Sequence, residues 1–179
     1  MVQPARRALF LRGINVGTAK RIAMRDLARL VEGLGATEVR TLLNSGNVVC
    51  TSATSPEGLA SSLSSAIAGE LGHHVDVVAR TSEQIDAVLA ADPWRDLATD
   101  PSRYLIVFLD RTPEPDRLTA LEAIDVAPER WVVHDRELYA WLPRGVADSV
   151  LSKQLAKGAL GVTWTGRNWT TVSRVRDLL

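Results

Sequence analysis

Cysteine occurs once in this chain, at Cys50. No intrachain disulfide can form, and a single thiol inside the apolar run "NVVCTS" predicts a reducing, cytoplasmic setting. Aromatic residues make up only 5%, and the five tryptophans all fall between Trp94 and Trp169. An excess of one charge is missing as well: 21 Lys and Arg balance 21 Asp and Glu, at a sequence pI near 6.8. Proteins that grip long nucleic acids by their phosphates usually carry a basic excess, so this balance argues against that class. No uncharged apolar stretch is long enough to span a bilayer, and the start with Pro4, Arg6 and Arg7 runs into only a short strand, unlike a signal peptide. The expected protein is neither membrane-bound nor exported.

Metal and nucleotide motifs are missing too. There is no CxxC, HExxH or paired-ligand spacing, which predicts no metal site. His73 and His74 are adjacent and would point to opposite faces of a strand, while His134 falls in a turn. The segment "GINVGTAK" fits neither GxGxxG nor GxxxxGK[ST], and whether the chain uses a cofactor stays open.

What is present is a folded-protein composition, 46% hydrophobic and 23% charged over 179 residues. At this length roughly 70% of the unfolded chain's surface can be buried, so a core forms without metal or disulfide. Residues 7–12 alternate as a strand, and "MRDLARLVEGLG" places Met24, Leu27, Leu30, Val31 and Leu34 at helical spacing before Gly35. "EVRTLL" and "NVVCTS" flank hairpin punctuation at Asn44, Ser45 and Gly46. Pro56–Leu71 fits a helix with Ser55 as N-cap and Gly72 after its end. "HVDVVAR" then predicts a strand, and Ser82–Ala91 a helix.

The second half repeats this order: strand "RYLIVFLD", helix Glu114–Ile124, a hairpin of "RWVVH" and "ELYAWL" over His134, Asp135 and Arg136, helix Val146–Lys157, strand "GVTWT" and helix Asn168–Leu178. The predicted class is α+β, with two ferredoxin-like β-α-β-β-α-β halves each followed by an extra helix. The expected subdomains are 1–91 and 103–179, joined by a linker at 92–102 where "ADPWRDLATDPS" collects two prolines and four charges. This plan also suits RNA-recognition modules, but "ALFLRG" and "NVVCTS" offer one Phe between them, against the two or three stacking rings such modules need. Sequence-specific nucleic-acid binding is therefore not expected.

In that topology the first and second strands run the same way, so the loop after Arg12 and the turn at 44–47 share one end of the sheet. Three segments then resemble a known set of signatures. "LFLRGINVG", "TLLNSGNVV" and "TGRNWTTV" are similar, in the same order, to those of the domain-of-unknown-function family 1697. The resemblance implies an α/β protein of two subdomains and brings no established activity. Its signatures fall here on Arg12, Gly13, Asn15 and Gly17, then Ser45, Gly46 and Asn47, then Arg167, Asn168, Trp169 and Thr171. Thr18 stands where the family often has a second glycine, which predicts a stiffer loop.

These residues donate and orient hydrogen bonds, yet the signatures hold no His, Asp, Glu, Lys or Cys to act as general acid or base. Two readings stay open. In one, Arg12, Gly13, Asn15, Gly17, Ser45, Gly46, Asn47, Arg167, Asn168 and Thr171 bind a small phosphate- or carboxylate-bearing ligand. In the other, the same polar groups lock the two halves together, with the Trp-rich second half as a contact surface. Glycines in turns, Asn168 as an N-cap and Arg167 on an internal carboxylate fit that alternative. Whether any reaction is catalysed, and the oligomeric state, stay open.

Overall fold

The structure is a computed structural model, and it describes residues 3–17 and 20–179. The chain divides into two compact units, Met1–Leu89 with Ser173–Leu179, and Ala90–Val172. The segment Ser173–Leu179, inside the span expected as the second subdomain, thus belongs with the first.

The first unit contains β1 (Ala5–Leu11), α1 (Met24–Gly33), β2 (Thr37–Leu42), β3 (Asn47–Ser52), α2 (Pro56–Leu71), β4 (Val77–Thr81) and the start of α3 (Ser82–Ala91). Its sheet runs β2-β3-β1-β4 with antiparallel neighbours, the ferredoxin-like order. Leu9 and Leu11 of β1, with Val48 and Cys50 of β3, share one core with Leu27, Leu30 and Val31 of α1 and Leu59, Leu63 and Ile67 of α2. The i, i+4, i+8 spacing of the α2 residues puts them on one stripe. Each buried leucine contributes roughly 1.5–3 kcal/mol, and Leu63→Ala would cost about 2–5 kcal/mol.

The ends of α2 follow from three residues. The Ser55 hydroxyl accepts from the Gly58 N–H at 3.1 Å, Pro56 occupies the first turn, and Gly72 terminates the helix at φ 67°. The C-terminal segment is tied in by side chains. The Arg6 guanidinium donates to the carbonyls of Leu178 and Leu179, and Arg176 pairs with Asp86.

The second unit contains β5 (Tyr104–Leu109), α4 (Pro115–Glu122), β6 (Arg130–His134), β7 (Glu137–Trp141), α5 (Val150–Ala156), β8 (Trp164–Asn168) and the start of α6 (Trp169–Arg176). Its antiparallel sheet runs β6-β7-β5-β8. Val107, Leu109, Leu138 and Ala140 pack with Leu121 of α4 and Leu151 and Leu155 of α5.

Three elements differ clearly from the sequence expectation. β4 begins at Val77 rather than His74, so His73 and His74 precede the strand. α5 begins at Val150 rather than Val146, because buried Ser149 is its N-cap and bonds the Ser152 N–H at 2.9 Å. The last strand covers Trp164–Asn168 rather than 161–165. Gly161 sits in a turn at φ 65°, and the ladder with β5 starts at Leu109↔Trp164 and runs through Ile106↔Arg167. Gly166 and Arg167 are weak strand formers by type, so pairing with β5 sets this strand rather than propensity.

Tryptophans largely serve the second unit's own packing. Trp94 donates to the Tyr139 carbonyl and Trp164 to the Leu155 carbonyl, each at 3.2 Å. Trp169 stacks on Tyr104 at 4.8 Å between ring centroids.

Candidate functional site

β1 delivers Arg12 to the end of the first sheet. There its N–H bonds the Asp76 carbonyl at 2.9 Å and its guanidinium lies 3.7 Å from the Asp76 carboxylate. The chain must then turn sharply, and Gly13, Asn15 and Gly17 take φ values of 63°, 56° and 62°. Alternation of such positions explains the G-x-N-x-G spacing, since Gly and Asn enter this left-handed region most readily. Between them Ile14 drops into the core, 2% exposed.

Asn15 organises the rest of the loop. Its side-chain nitrogen donates to the carbonyls of Ile22 at 2.9 Å and Asn44 at 2.8 Å, and its oxygen accepts from the Ile22 N–H at 2.9 Å. One side chain therefore closes its own loop and ties it to the β2–β3 turn. The first two sequence segments do converge at one end of this sheet.

The turn is shaped to receive the loop. Gly46 has φ 78°, and a Cβ there would lie 2.7 Å from Ile14 Cδ1 and 2.8 Å from Leu11 Cβ. Its carbonyl accepts from the Leu11 N–H at 2.9 Å. Asn47 is fully buried at the start of β3 and donates to the Leu42 carbonyl at 2.7 Å and the Ser45 hydroxyl at 3.2 Å. Ser45 and Asn44 are on the surface.

A cavity of about 560 Å³ opens at this junction, lined by Asn15, Arg21, Ile22, Ala23, Met24, Asp26 and Asn44. It includes the N-terminus of α1, where Ala23 stands at the cap and supplies no side-chain hydrogen bond. First-turn N–H groups there carry the positive end of the helix dipole. Arg21 is exposed in the lining and bonds the Gly17 carbonyl at 3.3 Å. Asp26 is 3.9 Å from Arg25.

The third segment lies in the second unit. Arg167 sits inside β8 rather than at a helix start, 8% exposed, and donates to the Thr165 hydroxyl at 2.8 Å and the Gly166 carbonyl at 2.7 Å. Burial pushes its guanidinium down to about 10. The Asn168 side chain accepts from the Thr171 N–H at 2.9 Å, capping α6, and Thr171 is buried.

Comparison with known proteins gives the chain its place. Residues 5–139 match a family described as a protein of unknown function, DUF1697. The chain belongs to the DUF1697 family. A solved structure, that of the conserved bacterial protein SP0830 from Streptococcus pneumoniae, is similar to it at a TM-score of 0.78 and 24% identity, covering 98% of both chains. That likeness shows a shared fold. No curated protein matches.

The DUF1697 match takes in the loop and turn around Asn15 and ends before Arg167. Thr18, where the family resemblance departs, lies outside the described residues. Sequence reasoning passed over Arg21, Asp26 and Asn44 as cavity-lining groups and Asp76 as the counter-charge of Arg12. The signal for Arg21 was a basic pair directly before a helix whose cap position is alanine. Among the described residues no group of three or more His, Cys, Asp or Glu side chains is placed to hold a metal ion, and no helix is long and apolar enough to cross a membrane.

Proposed function

We propose that this DUF1697 chain binds a small anionic ligand, bearing phosphate or carboxylate, in the cavity between the loop after β1 and the β2–β3 turn. The observation that carries this reading is the α1 N-terminus, uncapped by a side chain, opening onto the cavity beside Arg21. Backbone N–H groups at a helix start combine with a guanidinium to favour an anion, since donors and dipole act in the same sense. Lys20 and Arg25 flank the site in sequence against the single carboxylate of Asp26. Asn15, Gly46 and Asn47 hold the walls, Gly13 and Gly17 let the loop turn, and Ser45 lies on the exposed turn. The buried thiol of Cys50 supports a cytoplasmic setting.

The test is a thermal-shift screen over nucleotides, sugar phosphates and small acids in buffer free of phosphate and sulfate. At least one class should raise the melting temperature of the wild-type chain and lose that effect in Arg21→Ala. If no class does so, or if Arg21→Ala responds equally, the site reading fails. A second reading, that the polar signature residues serve the fold itself, is favoured by Asn15, whose amide nitrogen and oxygen are both engaged internally. The failed screen, with Asn15→Ala strongly destabilised, is its expected pattern.

A further inference from the structure

We propose that β6 is an interface strand that pairs antiparallel with β6 of a second copy of this chain, joining two four-stranded sheets into one. β6 lies at an end of the order β6-β7-β5-β8. The hydrogen-bond phase of its sheet follows from two bonds at the ends of the β5–β7 ladder: Leu109 N–H to the Arg136 carbonyl, and Leu142 N–H to the Arg103 carbonyl. Both put even-numbered residues of β7 in bonded pairs with β5. Alternation then turns Glu137, Tyr139 and Trp141 toward their β6 partners His134, Val132 and Arg130. The N–H and C=O groups of Trp131 and Val133 are left directed outward from the sheet.

An open row of this kind is normally blunted by charges, bulges or proline. β2, at the end of the first sheet, is blunted: its register shifts between Thr37 and Arg40, Glu38 takes φ 51°, and Glu38 and Arg40 are exposed. β6 has an unbroken register from Arg130↔Trp141 to His134↔Glu137, and its centre is the half-buried apolar run Trp131, Val132, Val133. Its exposed polar residues, Arg130 and His134, stand at its two ends, and neither a bulge nor a proline interrupts the apolar centre.

Self-complementarity selects the occupant. With a two-fold axis through Val132, Trp131 of each copy exchanges both main-chain bonds with Val133 of the other, so the outward donors and acceptors are all used. Apolar residues oppose apolar residues, and Arg130 faces His134. Exposed Arg130 at one end of the strand also comes one position from exposed Asp135 of the second copy, just past the other end, where the turn at φ 53° breaks the strand's alternation of faces. This charge complementarity occurs twice and would be lost in a parallel arrangement. A groove of about 610 Å³ between α4 and β6, lined in part by Leu118, Ile124, Trp131 and Val133, lies under the edge. Trp131 and Val133 face the helix-side core, so Trp131 of the second copy, on the same face, closes over this groove. Isologous pairing of one patch with itself is the commonest dimer symmetry.

Sedimentation equilibrium of the wild-type chain is expected to return twice the monomer mass. A monomer at the highest soluble concentration overturns the proposal. Val133→Pro deletes an N–H that the monomer's own sheet does not use, so it should give a monomer with unchanged circular dichroism and melting. Val132→Pro deletes one that bonds Tyr139 and should damage the fold itself. Because either proline could unfold the strand, a charge pair decides independently. Arg130→Glu should weaken association about tenfold or more, and Arg130→Glu with Asp135→Asn should recover part of that loss by relieving the new repulsion. Asparagine tolerates the φ of 53° at that position. A dimer that survives both Val133→Pro and Arg130→Glu unchanged lies on another face and refutes the assignment to β6.

Discussion

The side-chain amide of Asn15 donates to the Asn44 carbonyl at 2.8 Å, fastening the loop after β1 to the turn after β2. With the two bonds to Ile22 it makes Asn15 the keystone of the candidate site. Each such bond is worth about 1 kcal/mol net, and alanine at φ 56° adds backbone strain. Asn15→Ala should lower the unfolding free energy by about 2–4 kcal/mol in urea. Asn15→Gly should recover only the backbone share, and an unchanged midpoint in Asn15→Ala would mean that the loop is held by other groups.

Gly46 and Gly17 both have positive φ, yet they should respond differently to alanine. At Gly17 nothing lies within 4 Å of an added Cβ, so the cost is the left-handed backbone alone, roughly 1–2 kcal/mol. At Gly46 the methyl would press on Leu11 and Ile14, adding about 1–3 kcal/mol of overpacking. Parallel denaturant melts check the order, and equal losses would contradict the close packing of turn against loop.

Arg167 is a desolvated cation at neutral pH. Arg167→Met should cost about 1–3 kcal/mol, because the Thr165 hydroxyl and Gly166 carbonyl lose their donor inside the protein. Its pH dependence has a definite sign. The folded value, about 10, lies below the ordinary arginine range, so above about pH 10 the unfolded chain binds more protons and stability rises with pH. Wild-type minus Met-variant stability should therefore increase above about pH 10, as followed by denaturant titration at a series of pH values. A flat difference would place the guanidinium in a wetter setting.

Cys50 predicts the opposite slope. Burial pushes its thiol up from 9.0 to about 11, offset in part by Arg6 and Arg7. Its contribution is fully present below pH 9 and is lost as pH rises through about 11, because only the unfolded thiol ionises early. Cys50→Ala should lack that decline. In the native chain a thiol reagent at pH 8 should react slowly and become fast in denaturant, and rapid native labelling would refute the burial.

Local grammar was readable without coordinates. Ser55, Pro56 and Gly72 marked both ends of α2, and the turn at Asn44–Gly46 joined the expected strands. Even the meeting of Asn15 with that turn followed from two strands running the same way. Bonds between residues far apart in sequence were not readable. Buried Glu129 accepts from the Ser149 hydroxyl and the N–H groups of Val150 and Leu151, fixing the start of α5 from twenty residues away. Arg12 finds Asp76 across the sheet in the same way. The register of β8 was lost because Gly166 and Arg167 take strand geometry from β5, against their own preference.

The placement of Ser173–Leu179 in the first unit has a consequence for how the protein is made. As the chain leaves the ribosome, residues 1–89 emerge with their whole sheet and with Glu38 and Thr51 beside Arg6, but without the Leu178 and Leu179 carbonyls that Arg6 also bonds or the Arg176 side chain that pairs with Asp86. The entire second unit must be synthesised before those contacts can form. The first unit to appear is therefore the last to be completed, and a stall near residue 172 would leave a nascent sheet whose closing ties have not yet been translated.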